Sequence, residues 1–255
     1  MTDHVKIRRD GAVLEITFAR PEKKNALSNA MYLAAAEALN DAQSDASARV
    51  VLFSAEGDAF TAGNDLADFA AVASGRGEVL AHRFIDALAR AEKPIVAAVP
   101  GLAVGVGTTM LLHCDLVYLA DTAKLTTPFV NLALVPEAAS SLLLPARIGH
   151  VRAFAMFALG EALSAAETLA LGLANKVLPR EALLDAAREA ARALASRPLG
   201  ALVATKKLMR EGERILGQIA RESAIFGERL QTPEAREAFT AFVERRPPDF
   251  TKLAP

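Results

Sequence analysis

Short apolar segments, separated by longer stretches of helical periodicity, are the first pattern in this chain. From Val13 to Phe18 apolar residues alternate with Glu15 and Thr17, which predicts a strand with one buried face. Continuous apolar runs predict further, fully buried strands at Val50 to Phe53, Ile95 to Val99 and Leu116 to Ala120. Helical patterns lie between them, at Asn29 to Asp41 after a Ser28 cap, at Glu78 to Ala91, and at Thr108 to Cys114. Strands that alternate with helices predict an α/β core.

The second part of the chain has a different pattern, because the strand signals stop after about residue 150. Ser164 to Glu167 has the sequence of a capping box that opens a short helix, and Gly172 is suited to end it. Longer helical patterns then cover Glu181 to Ser196, Gly200 to Arg210, Glu213 to Leu230 and Pro233 to Glu244. We therefore predict an α/β core over residues 1–195 and a helical C-terminal region over residues 196–255.

Composition narrows the possible functions. Apolar residues make up 52% of the 255 residues and aromatic residues only 5%, so the core is expected to be aliphatic. The formal charge of -1 gives no global attraction to nucleic acid or to an acidic membrane. The single cysteine, Cys114, excludes an internal disulfide, and the four histidines lack the spacing of a zinc site. No metal site is therefore expected.

One uncharged stretch, Ile95 to Leu112, approaches the length of a membrane span. It contains Pro100, Gly101, Gly105 and Gly107, which favour a strand, a turn and a buried helix start instead. The charged N-terminus runs into a strand pattern and does not resemble a signal peptide. The expected protein is soluble, cytoplasmic and not bound to a membrane.

Two glycine-containing segments are candidates for binding an anionic oxygen. In Ala59 to Leu66, Gly63 would let backbone N–H groups face a ligand, although an ordinary loop with a helix cap at Asp65 fits equally well. In Pro100 to Thr109, a tight turn could lead into a helix N-terminus that favours a negative oxygen, or could serve packing alone. The nucleotide-binding pattern G-x-G-x-x-G fails, because Met110 stands at the third glycine position.

Glu137 is the only charged residue between Leu125 and Ala146. A carboxylate in such surroundings either finds a partner or has its pKa raised, and a raised pKa suits a general acid or base. The alternative is a glutamate that faces solvent at a helix start after Pro136.

Other residues have simpler interpretations. His113 lies in an apolar run and is expected to be a hydrogen-bonded core histidine. Ser140 and Ser141 lack the G-x-S-x-G context of a nucleophile. The remaining groups are interpreted as helix core (Phe154, Met156, Phe157) and as a solvated helix face (Lys206, Lys207, Arg210).

Several of these segments, taken in order, resemble the crotonase (enoyl-CoA hydratase/isomerase) family. The resembling motifs lie at Arg20 to Ser28, Phe60 to Leu66, Pro94 to Asp115, Leu171 to Val177 and Phe242 to Phe250. The resemblance implies a crotonase-type (ClpP/crotonase-like) spiral of ββα repeats with a helical C-terminal region. It also implies homotrimers or homohexamers, an acyl-CoA substrate, and no metal or redox cofactor, because CoA is part of the substrate.

The resemblance further implies an oxyanion hole, formed by the backbone N–H groups of Asn64 and Val106. These donors would hold the charged oxygen of a thioester enolate. Other implied substrate- and CoA-binding residues are Ala62, Gly63, Asp65, Leu66, Gly105 and Phe129, with Lys23, Lys24 and Ala26 near the adenine end.

The departures from the family pattern predict the activity. Hydratases of this family use two glutamates, and their positions hold Thr109 and Phe129 in this chain. Pro136 to Ser141 instead resembles the P-E-x-x-S-S segment of peroxisomal-type Δ3,Δ2-enoyl-CoA isomerases, in which the glutamate, here Glu137, is the lone base. The expected activity is a 1,3-proton shift in a 3-enoyl-CoA. The alternatives are a hydratase or another crotonase-type reaction, and a non-catalytic acyl-CoA-binding protein.

Overall fold

The computed structural model describes residues 2–65, 68, 78 and 80–253. Its strands are β1 (Val5–Asp10), β2 (Val13–Phe18), β3 (Val50–Ala55), β4 (Ala59–Thr61), β5 (Ile95–Val99), β6 (Leu102–Val104), β7 (Leu116–Ala120), β8 (Lys124–Thr126), β9 (Leu163–Ser164) and β10 (Lys176–Leu178). Its helices are α1 (Asn29–Ser44), α2 (Ala81–Arg90), α3 (Val106–Thr109), α4 (Ser140–Ile148), α5 (His150–Leu159), α6 (Ala165–Ala170), α7 (Arg180–Ala195), α8 (Leu199–Met209), α9 (Gly212–Leu230) and α10 (Pro233–Glu244).

Two sheets organise the strands. The larger sheet has the order β1-β2-β3-β5-β7-β10, and all its pairs are parallel except β1 with β2. The smaller sheet has the order β4-β6-β8-β9, with β4, β6 and β8 parallel. Each turn of the chain adds one strand to each sheet, as β3-β4, β5-β6 and β7-β8 do, before helical segments follow. This repetition is the predicted spiral of ββα units.

The predicted half-buried strand at β2 is buried on both faces. Glu15, which was expected to face solvent, is only 3% exposed, because α7 covers that face of the larger sheet. Its carboxylate accepts hydrogen bonds from Arg8 at 2.9 Å, from Arg188 at 3.1 Å and from Ser54 at 2.9 Å. A buried carboxylate is tolerated because these donors replace its lost hydration.

The helical predictions hold with small shifts, and α10 has the predicted bounds. The capping box at Ser164 is present, with Glu167 as its partner. The prediction that strands end near residue 150 is wrong, because β9 and β10 pair with strands of the core. Ser28 stands at the N-cap of α1 but makes no side-chain cap hydrogen bond; Asp68 accepts the Asn29 amide proton instead, at 2.8 Å.

Two surface and core assignments are also corrected. Phe154 is 61% exposed, whereas Met156 and Phe157 are buried as predicted. Lys206 does not lie on a solvated face: it is buried, and its ammonium donates to the Lys93 carbonyl at 3.0 Å and to Asp115 at 2.8 Å. A lysine is stable there because two oxygens receive its protons.

The C-terminal helices share the core of the α/β part. Ile215 and Ile219 of α9 belong to the main apolar cluster with strands β2, β3 and β5. Phe226 and Phe239 pack in a second cluster beside Phe129. The division of the chain at residue 195 remains a prediction.

Within the described residues, no helix combines the length and apolarity needed to cross a membrane. The cytoplasmic location stays a prediction. The same residues contain no group of three or more His, Cys, Asp or Glu side chains arranged to hold a metal ion.

Gly101 joins β5 to β6 where the two sheets meet, and a side chain at this position is expected to destabilise the fold. A Cβ at this position would lie 2.0 Å from the carbonyl oxygen of Asp58, which belongs to the backbone and cannot rotate away. We expect Gly101→Ala to reduce the free energy of unfolding by about 2 kcal/mol or more. Gly217→Ala, at an open position of α9, should increase it by about 0.5–1 kcal/mol. Urea unfolding measures both; an unchanged midpoint for Gly101→Ala would contradict the packing described.

Candidate active site

The two predicted glycine segments meet at the ends of β4 and β6. These strands pair in parallel, with Thr61 opposite Ala103, so their C-terminal ends lie at the same edge of the smaller sheet. A Cβ on Gly63 would be 3.0 Å from the carbonyl oxygen of Val104, and one on Gly107 would be 2.5 Å from the Thr61 side chain. Glycine at both positions therefore lets the two segments approach through their backbones.

The first segment presents the backbone amide of Asn64. Leu27 donates its N–H to the carbonyl of Gly63 at 2.8 Å, and Asp65 donates to the carbonyl of Leu27 at 2.9 Å. Successive N–H groups of an extended chain point to opposite sides, so the Asn64 amide points away from Leu27. It has no acceptor within the part of the chain that the structure describes.

The second segment presents the amide of Val106. Gly105 has φ 55° and ψ −116°, a backbone conformation that favours glycine, and its carbonyl accepts from Thr108 and Thr109 at 2.9 Å. Val106 is the first residue of α3, and the first N–H groups of a helix have no intrahelical acceptor. Its amide is unpaired among the described residues. The candidate donors of Asn64 and Val106 thus lie on adjacent strand ends.

The N-terminal motif folds against the first segment. Asn25 is completely buried and donates to the carbonyls of Glu56 and Ala59 at 2.8 Å. Arg20 donates to the carboxylate of Asp65 at 2.7 Å. Asp65 therefore forms an ion pair in this structure, which fixes the end of the segment.

The residues predicted near the adenine end lie close to this motif. Lys24 accepts the Ala62 N–H on its carbonyl at 2.8 Å, while Lys23 and Lys24 extend exposed side chains. The Arg20 guanidinium donates to the carbonyl of Ala26 at 3.1 Å. Leu66 lies outside the described residues.

A cleft of about 320 Å³ opens beside Lys24. Lys124 and Arg180 also line it, together with Asp58. Three cations against one carboxylate make this cleft suited to anionic groups such as phosphates.

Glu137 is buried in the structure, with only 8% of its surface exposed. It precedes α4, which begins at Ser140, so the alternative of a solvent-facing residue at a helix start is wrong. Its Oε1 atom has no hydrogen-bond partner among the described residues. Burial, followed by the charge of Glu222, raises the pKa of Glu137 to about 8. Such a carboxyl group can accept or donate a proton near neutral pH.

The turn that carries Glu137 has an unusual backbone. Ala138 and Ala139 both have left-handed conformations, with φ 61° and 56°. Each such residue costs roughly 1–2 kcal/mol when it is not glycine. The surrounding structure must therefore hold this turn.

Glu222 of α9 holds the turn from one side. Its carboxylate accepts the N–H of Ala139 at 2.6 Å and the N–H of Ser141 at 2.9 Å, and it also accepts the Ser141 hydroxyl proton. Gln218 donates to the same hydroxyl at 2.8 Å. The sequence reasoning missed Glu222, although it stands in the apolar stripe of α9, whose other buried members are Ile215, Ile219, Phe226 and Leu230.

His113 holds the turn from the other side and is the predicted core histidine. Its Nε2 lies 2.8 Å from the Ala138 carbonyl, and Arg210 donates to its Nδ1. Burial, followed by the charge of Arg210, lowers the pKa of His113 to about 3. The ring is therefore neutral, and because arginine can only donate, its remaining proton is on Nε2.

Tyr32 lies beside the first amide segment. Its hydroxyl donates to the side-chain oxygen of Asn64 from a buried position in α1. Burial, followed by the charge of Glu137, raises the pKa of Tyr32 well above its ordinary value. The phenol therefore remains a neutral donor beside Asn64.

The two positions that hold glutamates in family hydratases are apolar or hydroxylic here. Thr109 is completely buried, and Phe129 is 5% exposed and packs near Phe157. Neither can move a proton as a carboxylate does. In the part of the chain that the structure describes, the turn carries the carboxyl group of Glu137 and contacts that of Glu222, which is engaged with three donors.

A spiral of ββα turns with unpaired amides at neighbouring strand ends is the crotonase type of architecture, and comparisons with known proteins agree. The sequence model of the family described as enoyl-CoA hydratase/isomerase matches residues 8–253. An enoyl-CoA hydratase/isomerase from Pseudoalteromonas atlantica has a crystal structure similar to this one, with a TM-score of 0.91, 41% identity, and coverage of 97% of this chain and 100% of that one.

Relatives with different activities resemble the chain to a similar degree. Enoyl-CoA delta isomerase 2 of Rattus norvegicus is 32% identical over 95% of this chain; the chain spans only 64% of that protein's length. The 2,3-dehydroadipyl-CoA hydratase of Escherichia coli is 31% identical over 96% of this chain and 97% of its own. The chain belongs to the enoyl-CoA hydratase/isomerase (crotonase) family, and it is an acyl-CoA-processing enzyme of that family.

The buried carboxyl group of Glu137 predicts a pH-dependent stability. Between the ordinary pKa of 4.5 and the raised value of about 8, the folded protein keeps a proton that the unfolded chain releases. Stability should therefore fall as the pH rises through this window. Glu137→Gln cannot ionise, so we expect it to match the wild type near pH 5 and to exceed it by at least about 1 kcal/mol near pH 9.

Chemical unfolding at the two pH values measures this difference. Glu189→Gln, at an exposed position of α7, is the matched control and should keep the wild-type dependence. Parallel stability curves for the wild type and Glu137→Gln would disprove the assignment of a protonated carboxyl group to Glu137.

Proposed function

We propose that the protein is a Δ3,Δ2-enoyl-CoA isomerase, which converts a 3-enoyl-CoA into the trans-2-enoyl-CoA. The observation that carries this proposal is the buried carboxyl group of Glu137, whose Oε1 has no hydrogen-bond partner among the described residues and whose pKa is raised to about 8. Thr109 and Phe129 stand where a hydratase of the family has its two glutamates. A double-bond shift needs one group that takes a proton and returns it, whereas hydration must also activate water.

In the proposed reaction, the thioester oxygen accepts hydrogen bonds from the amides of Asn64 and Val106. The Glu137 carboxylate removes a proton from C2, and the electrons of the broken C–H bond form a dienolate with its charge on the thioester oxygen. Glu137 then returns the proton to C4, and the double bond becomes conjugated. Each well-aimed donor contributes roughly 3 kcal/mol to the stability of such an oxyanion.

The surroundings of Glu137 suit this role. A carboxylate without hydrogen-bond donors in an apolar site is a stronger base than one in water, because the charged form is not solvated. Burial also favours delivery of the proton to C4 rather than its loss to solvent, because little water competes for it. The raised pKa predicts that kcat/KM rises as the pH increases toward about 8.

The CoA part of the substrate is proposed to lie along the N-terminal motif. Ala62, Gly63, Asp65, Leu66 and Gly105 would line its path, and Phe129 would contact the acyl part. Lys23, Lys24 and Ala26 would lie near the adenine. The cleft beside Lys24, with Lys124 and Arg180, supports this orientation because it offers cations for phosphates.

The protein is further proposed to act as a homotrimer or homohexamer in the cytoplasm. Large apolar side chains that are more than half exposed support a contact between copies; they include Val151, Phe154, Phe242 and Val243. No metal or redox cofactor takes part in the proposed reaction.

A hydratase that uses Glu137 in a new role is the second candidate, and the similarity to 2,3-dehydroadipyl-CoA hydratase favours it. It predicts addition of water to a 2-enoyl-CoA such as crotonyl-CoA. A non-catalytic acyl-CoA-binding protein predicts binding without turnover and no effect of changes at Glu137.

The proposed function is tested with 3-hexenoyl-CoA, by following the absorbance of the conjugated 2-enoyl thioester. We expect isomerisation by the wild type and a decrease of about 10³-fold in kcat for Glu137→Gln, because the amide cannot accept the C2 proton. Glu189→Gln should react like the wild type. Equal rates for Glu137→Gln and the wild type would exclude Glu137 as the base, and hydration of crotonyl-CoA at a higher kcat/KM would favour the second candidate.

A further inference from the structure

We propose that Glu222 is a positioning residue of this active site: it holds the left-handed turn that carries Glu137 and sets the pH range in which Glu137 works. This inference rests on the proposed role of Glu137 as the base. It adds to the site a residue from the C-terminal helical region, because Glu222 lies 81 positions beyond Ser141 in the sequence.

Burial of the Glu222 carboxylate is costly in free energy. Its helix, α9, uses this face for apolar contacts, and Glu222 is only 4% exposed. A leucine would suit the stripe formed by Ile219 and Phe226, whereas a carboxylate there is unfavourable unless donors surround it. Three of its donors come from the turn and from α4, at Ala139 and Ser141, and Gln218 of its own helix contributes a further side-chain hydrogen bond. The burial of Glu222 is therefore explained by the turn that it holds.

The strained backbone of the turn is held by a partner on each side. The carbonyl of Ala138 and the N–H of Ala139 belong to the one trans peptide group between the two left-handed alanines, so they point in opposite directions. Glu222 accepts the first and His113 donates to the second, and His113 is itself oriented by Arg210. Loss of either contact would let the turn relax toward ordinary backbone angles, and the Glu137 carboxyl group would move with it.

The charge of Glu222 also acts on the carboxyl group of Glu137. Among the described residues, Glu222 from α9 and Tyr32 from α1 interact electrostatically with Glu137, and His113, after α3, binds the adjacent Ala138 carbonyl. Tyr32 and His113 are neutral, because burial raises the pKa of the phenol and lowers the pKa of the imidazole. Burial raises the pKa of Glu222 as well, but its three donors oppose this effect, whereas Glu137 has none at Oε1. Glu222 therefore ionises first, and its negative charge opposes ionisation of Glu137.

Two substitutions separate the charge of Glu222 from its shape. Glu222→Gln removes the charge and replaces one of the two acceptor oxygens by an NH2 group, which can only donate. Its pH profile of kcat/KM should move toward acid by about one pH unit, and kcat should fall by about tenfold or more. Glu222→Asp keeps the charge on a shorter side chain, so kcat should fall while the midpoint of the profile stays near that of the wild type.

The KM for the CoA thioester should change by less than about threefold in both variants, because the residues proposed to bind CoA lie on other elements. Glu228→Gln, at an exposed position of the same helix, is the control and should keep the wild-type profile. A purely structural role for Glu222 would lower the yield or the stability of the protein and leave the pH midpoint of both variants unchanged, which would overturn the proposal.

A second measurement separates this inference from the proposed function. 13C NMR of side-chain-labelled glutamates follows the titration of Glu137 in the free protein, with Glu137→Gln identifying its signal. A shift of that titration toward acid in Glu222→Gln supports the inference even if the wild type isomerises no enoyl-CoA. An unshifted titration, together with isomerisation by the wild type, overturns the inference and leaves the proposed function standing.

Discussion

The parallel pairing of β4 with β6 is the constraint on which the rest of the site depends. The two strands are short, and their ends approach so closely that a side chain on Gly63 or Gly107 would strike the neighbouring backbone or Thr61. This approach brings the amides of Asn64 and Val106 to one edge, and neither has an acceptor among the residues that the structure describes. Backbone donors fixed in this way need no reorganisation when charge develops on an oxygen, which is the advantage of a preorganised site.

The candidate base comes from a different part of the fold and is held in a different way. Glu137 lies on a turn with two left-handed alanines, whose polar groups are bound by Glu222 and by His113. Both contacts depend on the C-terminal helices. Glu222 belongs to α9, and Arg210, which orients His113, stands at the C-terminal end of α8. The ββα spiral thus supplies the proposed donors, while the C-terminal helices hold the turn that carries the proposed base. Tyr32 donates to the side chain of Asn64, and the charge of Glu137 contributes to its raised pKa.

Much of the fold could be predicted from local patterns. Strands β2, β5 and β7 and helix α10 have the predicted bounds, because apolar periodicity reports burial directly. The strands of the smaller sheet were missed, since three-residue segments such as β4 carry too little periodicity.

The errors arose where distant elements decide the environment. Glu15 was expected to face solvent, because nothing in the sequence of β2 reveals that α7 covers it. Lys206 was expected to be solvated, because its partner Asp115 lies far away in the sequence. Glu222 could have been found as a charge in an apolar stripe. The strand β4 and the turn at Ala138 follow from tertiary contacts that a single sequence does not display.

Transfer of deuterium from C2 to C4 is the measurement that tests the central claim, a proton shift by one buried carboxyl group, most directly. A 3-enoyl-CoA with both C2 positions deuterated is converted in ordinary water, and mass spectrometry or NMR locates the label in the 2-enoyl product. Because Glu137 is buried and the same group takes and returns the proton, we predict that a substantial part of the abstracted deuterium appears at C4. Product with only solvent hydrogen incorporated at C4 would contradict the account.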